Sequence, residues 1–284
     1  MIACREHGGY TASFPDLAAY MNGTLTKRVE IMAEKAVALV TGAAKRIGAA
    51  IAADLAANGF AVAIHCNRSC AEAEPLLASI ADGGGRAAIV RADLTNRSEV
   101  AGVIRAAEAA LGPVRLLVNN ASAFEKDEAQ SPDWSTWDRH FAVHLEAPVR
   151  LSSDMAQRLP DGDAGLVVNI VDQRVWKLTP QFFSYTLSKS ALWTATQTMA
   201  QAFAPRIRVN AIGPGPTLRN ERQGESDFEE QRKGLLLKSG PMLTEFGATI
   251  RYLWGTPSIT GQMIALDGGQ HLAWQTPDVT GMRE

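Results

Sequence analysis

Short apolar runs alternate with longer amphipathic segments from residue 36 almost to the C-terminus, and this alternation limits the fold more than any other feature. The runs at 36–40, 61–66 and 116–120 are typical of strands that are buried on both faces. Between the first two runs, Ile47, Ile51 and Leu55 recur every four residues, as they do along one side of a helix. Strands that alternate with helices imply right-handed crossovers, and therefore a parallel, doubly wound α/β sheet with helices on both faces.

The alternation predicts seven strands and seven helical segments. The strands are expected at 36–40, 61–66, 86–93, 116–120, 165–171, 207–212 and within 262–269. The helices are expected at 47–58, 71–81, 100–111, 137–159, 184–204, 228–237 and 243–254, with a kink at Pro148. Because the pattern never breaks, residues 35–284 are assigned to a single domain. Residues 1–34 have no such pattern and are predicted to be a flexible extension or the product of a misassigned start ahead of Met32, with a functional arm as the alternative.

The composition excludes several classes of protein. Lys and Arg number 28 against 30 Asp and Glu, so no basic excess suggests a nucleic acid or an anionic membrane as partner. No apolar run approaches the ~20 residues of a membrane helix, and the N-terminus lacks the apolar core of a signal peptide. Three cysteines exclude a disulfide framework and fit a reducing compartment, which predicts a cytoplasmic protein.

The turn after the first predicted strand is rich in glycine and leads directly into a helix. It reads TGAAKRIG, from Thr41 to Gly48. Such a turn directs backbone N–H groups and the positive end of the helix dipole towards a phosphate. Its position between a strand and a helix favours this interpretation over a plain connecting turn. The cofactor-binding residues predicted here are Gly42, Lys45, Arg46, Ile47 and Gly48.

The end of the second predicted strand indicates which dinucleotide is bound. Proteins that bind NAD usually hold an acidic residue there, which grips the ribose 2′-OH. This chain instead has HCNRS at 65–69, without an acid. Arg68 and Ser69 can hold a 2′-phosphate, which predicts NADP, while a solvated Arg68 is the alternative. His65 and the two nearby cysteines lack a second pair of metal ligands, so no metal site is predicted.

Tyr185 and Lys189 are four residues apart on a predicted helix and therefore share one face of it. A free tyrosine has a pKa of about 10 and is a poor acid at neutral pH. A neighbouring ammonium is expected to lower that pKa and to ease proton transfer to a substrate. The pair alone is a weak signal, but it follows a predicted strand with Asn169 and Asp172.

Together these features resemble the short-chain dehydrogenase/reductase family. The matching residues are Thr41-Gly42 with Gly48, Asp93-Leu94, Asn119-Asn120-Ala121, Tyr185 with Lys189, and Arg208-Val209-Asn210 with Gly213-Pro214-Gly215. The resemblance implies a Rossmann-type sheet and an assembly of two or four copies, with a homotetramer expected. It also implies that Asp93 meets the adenine, Asn119 borders the cofactor ribose and Lys189 holds the nicotinamide ribose. The further cofactor-binding residues that it implies are His65, Leu94, Ala121 and Gly215.

Three departures from the family pattern concern the reaction itself. Arg46 replaces the middle glycine of the cofactor turn, Asp172 replaces the usual catalytic serine, and His144 stands where an asparagine is usual. A carboxylate would repel the oxyanion that forms on a ketone, but it suits a substrate with N–H groups or a C=N bond that needs a proton on nitrogen. For His144, a role in proton transfer and a role as a buried core residue stay open.

These departures resemble the pteridine reductases within that family. The shared features are the turn at 41–48, the HxxRS end of the second strand at 65–69, NNASAF at 119–124, and Asp172. The presence of His144, and of Asn220-Glu221 after the Gly-Pro-Gly segment, is closer to the bacterial dihydromonapterin and dihydrofolate reductases. The resemblance implies that Phe124 stacks on the pterin and that Ser122 hydrogen-bonds it. Phe124 as an ordinary wall residue is the alternative.

The sequence therefore predicts an NADPH-dependent reductase of a dihydropterin. The predicted catalytic residues are Tyr185, Lys189 and Asp172, and the predicted substrate-binding residues are Arg46, Ser122, Phe124, Asp172 and Tyr185. A general carbonyl or 3-oxoacyl reductase is the alternative enzyme, and a non-catalytic NADP-binding protein is the alternative of another class.

Overall fold

A single parallel sheet of seven strands forms the centre of the computed structural model, which describes residues 36–219 and 224–276. The strand order is β3-β2-β1-β4-β5-β6-β7, so the chain winds outwards from the middle in both directions. The strands are β1 (Val37–Val40), β2 (Ala61–Cys66), β3 (Ala87–Arg91), β4 (Val114–Asn119), β5 (Gly165–Ile170), β6 (Ile207–Pro214) and β7 (Met263–Leu266). The predicted doubly wound α/β sheet is thereby confirmed.

Among the described residues, eight α-helices connect the strands and cover both faces of the sheet. They are α1 (Arg46–Ala57), α2 (Cys70–Asp82), α3 (Arg97–Leu111), α4 (Trp134–Phe141), α5 (Ala147–Arg158), α6 (Phe183–Phe203), α7 (Glu225–Lys233) and α8 (Leu243–Gly255). Side chains fix two of the starts: Asn96 accepts a hydrogen bond from the Ser98 N–H at α3, and Asp133 accepts from the N–H groups of Ser135 and Thr136 at α4.

Alternate residues of each strand point to opposite faces, and each face has its own apolar core. On one face, Ala38 and Val40 of β1 belong to a cluster with Ile51 of α1 and Phe246 of α8. On the other face, Leu39 belongs to a cluster that includes residues of α3 and α5. The central strands are therefore buried on both sides, which is why their sequences are continuous apolar runs.

The predicted helix at 137–159 differs in detail from the structure. The helical segment begins earlier, at Trp134, and a wider π-helical turn at Ala142–Glu146 separates α4 from α5. Pro148 cannot donate to the carbonyl of residue 144, and the wider turn lies directly before it. The helix predicted at 228–237 lies at Glu225–Lys233 instead. Residues 1–34 and the Asn220-Glu221 pair lie outside the described residues.

Candidate functional site

The carboxyl ends of β1 and β4 lie side by side at the point where the strand order reverses, which is the usual place for a ligand in such sheets. Thr41 joins the two ends, because its hydroxyl accepts the N–H groups of Asn120 and Ala121 at 2.9 and 3.0 Å. The Asn120 side chain donates in return to the Thr41 carbonyl at 2.8 Å. The glycine turn and the segment after β4 therefore form one rigid edge of a groove.

Two glycines of the turn occupy positions that no other residue fits. Gly42 has φ +62°, and a Cβ atom there would lie 2.9 Å from Cα of Ala121. A Cβ atom on Gly48 would lie 2.4 Å from the carbonyl oxygen of Gly42. The backbone of the turn consequently approaches the start of α1 closely, with the helix N-terminus open towards the groove.

His65 fixes the turn from the neighbouring strand. Its Nδ1 accepts the N–H of Gly42 at 3.1 Å, so the proton of the neutral ring is on Nε2, which donates to the Ala92 carbonyl at 3.2 Å. Burial lowers the pKa of His65 to about 4, so the ring is neutral at physiological pH. His65 thus supports the groove by holding its backbone in place.

A groove of about 850 Å³ runs along this edge. Most of the predicted cofactor residues line it, namely Gly42, Lys45, Arg46, Ile47, Gly48, His65, Arg68, Ser69, Asp93, Leu94 and Ala121. Asn119 does not, because its side chain is buried and donates to the Oδ1 of Asn169 at 2.8 Å within the sheet. Lys189 and Gly215 line an adjoining cavity instead.

The segment after β2 carries the predicted 2′-phosphate residues at the rim of the groove. The Arg68 side chain is exposed. Hydrogen bonds from the backbone and the hydroxyl of Thr95 lower the pKa of the Asp93 carboxyl, and Asn67 and Arg68 lower it further. Cys66 and Cys70 are joined by a disulfide that closes a small ring around this segment, a pairing that the sequence did not lead us to expect. Within the described residues, no group of three or more His, Cys, Asp or Glu side chains could hold a metal ion.

The adjoining cavity, of about 650 Å³, contains all five predicted substrate residues: Arg46, Ser122, Phe124, Asp172 and Tyr185. Tyr185 stands at the start of α6, and Asp172 follows β5. The Tyr185 hydroxyl donates to Oδ2 of Asp172 at 2.9 Å. The carboxylate that replaces the usual serine is thus in direct contact with the predicted proton donor.

The prediction that Lys189 lowers the pKa of Tyr185 is wrong. Burial raises the pKa of Tyr185 well above its ordinary value of 10.0, and the negative charge of Asp172 raises it further. The Lys189 ammonium lies 5.8 Å from the centre of the tyrosine ring and donates to the Ile170 carbonyl at 2.7 Å. Tyr185 is therefore protonated at neutral pH, and it is a weaker acid than a free tyrosine.

Lys189 itself is strongly affected by its surroundings. Burial lowers its pKa from 10.5 to about 8, although the charge of Asp172 acts in the opposite direction. An ammonium with this pKa holds its proton at neutral pH, yet releases it more readily than an exposed lysine does. Perturbed pKa values of this size are concentrated at functional sites.

Arg174 is a site residue that the sequence analysis missed. Its Nη1 contacts Oδ2 of Asp172 at 3.3 Å, and its backbone N–H donates to Oδ1 at 2.8 Å. The guanidinium lies 5.4 Å from the ring centres of both Phe124 and Phe182, which stack on each other at 4.3 Å. The one signal in the sequence was its position two residues after Asp172.

Arg46, the other departure at the cofactor turn, has φ +56°, a conformation that glycine adopts without strain. Its side chain reaches across the mouth of the groove and donates to the carbonyls of Arg219 and Leu218 at 3.1 and 3.4 Å. A strained residue is retained here at a cost of about 1–3 kcal/mol. The side chain links the cofactor turn to the segment that follows β6.

Within the described residues, no helix is long and apolar enough to cross a membrane.

The model of the short chain dehydrogenase family matches residues 36–230. The fold is similar to the crystal structure of FolM alternative dihydrofolate reductase 1 from Brucella canis complexed with NADP, with 61% identity, a TM-score of 0.86, and coverage of 87% of this chain and 98% of that one.

Two curated relatives extend the comparison. Pteridine reductase 1 of Leishmania tarentolae is 31% identical over 279 residues, covering 83% of this chain and 96% of the relative. Dihydromonapterin reductase of Klebsiella pneumoniae is 27% identical over 236 residues, covering 82% of this chain and 96% of the relative. The family model, the sheet topology and the Tyr185–Lys189 pair agree, and the chain belongs to the short-chain dehydrogenase/reductase family.

Proposed function

We propose that this chain is an NADPH-dependent reductase that adds hydride to the C=N bond of a dihydropterin. The observation that carries this proposal is the contact of the Asp172 carboxylate with the Tyr185 hydroxyl, at 2.9 Å, inside an aromatic cavity. A carboxylate accepts hydrogen bonds from N–H groups, which an aminopyrimidine edge presents and a simple ketone lacks. The relatives named above as pterin or dihydrofolate reductases support the same substrate class.

Three observations support NADP as the cofactor. Gly42 and Gly48 let the turn pack closely against the segment after β4 and the start of α1, and both glycines line the groove at the helix N-terminus, where a pyrophosphate would lie. Arg68 is an exposed cation at the rim, where a 2′-phosphate would lie, and no acidic residue stands at the end of β2. The similar Brucella structure contains NADP. When it is bound, NADPH supplies the hydride.

The chain's own residues supply the proton. Tyr185 carries its proton at neutral pH, as an ordinary tyrosine does, and it lines the cavity, so its hydroxyl is placed to donate to the substrate nitrogen that gains electrons. Because burial and Asp172 raise its pKa, it is a weaker acid than a free tyrosine. Asp172 orients that hydroxyl and accepts hydrogen bonds from the substrate. Lys189, with a pKa of about 8, is charged at neutral pH and is the proposed source of the proton that Tyr185 regains after each turnover.

The aromatic rings of the cavity suit a flat bicyclic substrate. The ring of Phe124 lies 4.8 Å from that of Tyr185, close to perpendicular, and Phe182 stacks on it. Apolar and aromatic walls with a few polar groups are typical of sites for small heterocycles. We propose that Phe124 and Ser122 contact the pterin and that Arg46 borders both cofactor and substrate.

Steady-state NADPH oxidation tests the proposal directly. The substrates are dihydrobiopterin, dihydromonapterin, dihydrofolate and a 3-oxoacyl thioester, with the Tyr185→Phe variant as the control for background oxidation. We expect at least one dihydropterin to be reduced with the highest kcat/KM. A preference for the thioester would establish the carbonyl reductase alternative, and no turnover with any substrate would favour a non-catalytic NADP-binding protein.

We also propose that the protein works as a homotetramer in the cytoplasm. The family resemblance supports an oligomer, and large apolar side chains are exposed at Trp134, Tyr252 and Trp274. Light scattering at micromolar concentration should give a mass about four times that of one chain. A stable monomer with full activity would contradict the assembly.

A further inference from the structure

Two buried histidines, one helical turn apart, face two buried serines with the same spacing on α6. His140 lies in the last turn of α4 and His144 lies in the π-helical turn that follows. Nδ1 of His140 lies 2.8 Å from the Ser184 hydroxyl, and Nδ1 of His144 lies 2.8 Å from the Ser188 hydroxyl. The two imidazoles are nearly parallel, with ring centres 5.4 Å apart.

The other nitrogen of each ring holds the segment that follows β4. Nε2 of His144 accepts the backbone N–H of Ala123 at 3.1 Å, and Nε2 of His140 accepts that of Glu125 at 3.3 Å. Because a backbone N–H can only donate, each Nε2 must be unprotonated. Each Nδ1 therefore carries the proton of a neutral ring and donates it to the serine.

The segment held in this way carries the proposed substrate contacts. Ser122 and Phe124 line the substrate cavity, and the Ser122 hydroxyl lies 3.0 Å from Nε2 of His144. Ser122 also lies close enough to the Tyr185 hydroxyl to lower its pKa. The Ser188 hydroxyl donates to the Tyr185 carbonyl at 2.8 Å, so the same serine that meets His144 is tied to the turn bearing Tyr185.

We propose that His140 and His144 are positioning residues, which set the distance between the 122–125 segment and Tyr185 that substrate binding requires. The identity of the substrate in this inference rests on the proposed function. The statement that the two histidines hold the 122–125 segment in place does not. Both nitrogens of His144 are occupied by these contacts, so the ring acts as a spacer of fixed length and not as a proton relay. His140 makes the equivalent contacts one turn earlier.

The electrostatic surroundings keep both rings neutral. Burial lowers the pKa of both His140 and His144, and the charge of Lys189 acts in the same direction. For His140, the carboxylates of Asp127 and Glu125 raise the pKa and the guanidinium of Arg139 lowers it, so burial remains the largest influence. Protonation in acid would turn each Nε2 into a donor facing another donor, and the segment would lose its attachment.

Kinetics with three variants at one position test the role of His144. His144→Phe keeps a ring but has no nitrogen, His144→Gln can present an acceptor near the Nε2 position, and His144→Asn is too short to reach Ala123. We expect the phenylalanine variant to raise KM for dihydrobiopterin at least ~10-fold, with the Kd for NADPH within about twofold of the wild type. Glutamine should recover most of this loss and asparagine should not.

Hydrogen exchange of the peptide spanning 121–127 supplies a readout that does not depend on turnover. The amides of Ala123 and Glu125 should be protected in the wild type, and Ala123 should exchange faster in His144→Phe and Glu125 faster in His140→Phe. Unchanged exchange and KM in both variants would overturn the inference. Faster exchange in a protein that fails to reduce any pterin would instead overturn the proposed function. If the phenylalanine variants do not fold, Ser188→Ala and Ser184→Ala provide the same test from the opposite side.

Discussion

Replacing Asp172 by asparagine should remove most of the proposed pterin reductase activity and leave the fold intact. Oδ1 of Asp172 accepts the Arg174 N–H at 2.8 Å and caps the short turn that follows β5. An asparagine side chain caps such turns equally well. Oδ2 accepts from Tyr185 and from Arg174, and the negative charge strengthens both contacts. The substitution therefore separates the charge of Asp172 from its structural role.

The expected loss follows from these contacts. A hydrogen bond to a charged group contributes about 1.5–3 kcal/mol, and the partly exposed contact with Arg174 at 3.3 Å adds less. A transition state that also loses a charged acceptor for its N–H groups should be destabilised by about 2–4 kcal/mol. This corresponds to a fall of roughly 30- to 900-fold in kcat/KM.

The assay is kcat/KM for dihydrobiopterin at pH 7 with saturating NADPH, accompanied by thermal unfolding. Asp227→Asn is the matched control, because Asp227 is exposed in the same cavity and the change in charge is identical. Asp227→Asn should stay within about twofold of the wild type. An Asp172→Asn enzyme that keeps a third of the wild-type kcat/KM would refute the argument from charge.

Asp172→Ser, which restores the residue usual in the family, should not rescue pterin reduction but should raise a weak ketone activity, because a hydroxyl donates to a carbonyl oxygen. If it unfolds readily yet keeps pterin activity per folded molecule, Asp172 is structural. Tyr185→Phe removes the proton but keeps the ring, so kcat should fall roughly 10²- to 10⁴-fold with little change in the Kd for NADPH, and retention of a third of kcat would exclude Tyr185 as the acid. Arg68→Ala should reduce a preference for NADPH over NADH of at least ~10-fold in kcat/KM, and an unchanged preference would place the 2′-phosphate elsewhere. Lys189 has a folded pKa of about 8, below its ordinary 10.5, so the unfolded chain binds more protons in that interval and the free energy of unfolding should rise by about 3 kcal/mol from pH 8 to 10.5. Urea unfolding of Lys189→Met should lack this rise, and a slope equal to that of the wild type would assign it to other groups.

The sheet could be predicted from the sequence because its strands are short, apolar and separated by clear stop signals. All seven strands were expected near their observed positions, since a strand buried on both faces leaves few alternatives. The region around Ala142–Glu146 could not be predicted in the same way. Periodicity shows which face of a helix is apolar. A single π-helical turn shifts the apolar positions by less than one residue, and a short stretch of sequence does not reveal so small a shift.

The residues of the site were easier to predict than their electrostatics. Spacing placed Tyr185 and Lys189 on one face of α6, but it could not show that the ammonium bonds the Ile170 carbonyl. The direction of the Tyr185 pKa depends on burial, which only the folded chain determines. The family motif predicted that Asn119 borders the cofactor. In the structure its side chain points into the sheet and donates to Asn169.

Asp172 changes the pKa values of both proposed proton donors, Tyr185 and Lys189, in the same direction. Its charge raises the pKa of Tyr185, which is protonated at neutral pH even at its ordinary value of 10.0, and it raises that of Lys189, which burial alone would take below about 8. A reduction that places a proton on nitrogen consumes one proton in each turnover. A site in which both donors are protonated at neutral pH is therefore ready for the next turnover. A serine hydroxyl at this position has no charge and cannot have this effect. The carboxylate therefore suits C=N reduction in two ways, by accepting hydrogen bonds from the N–H groups of the substrate and by keeping Lys189, the proposed source of protons, charged at neutral pH.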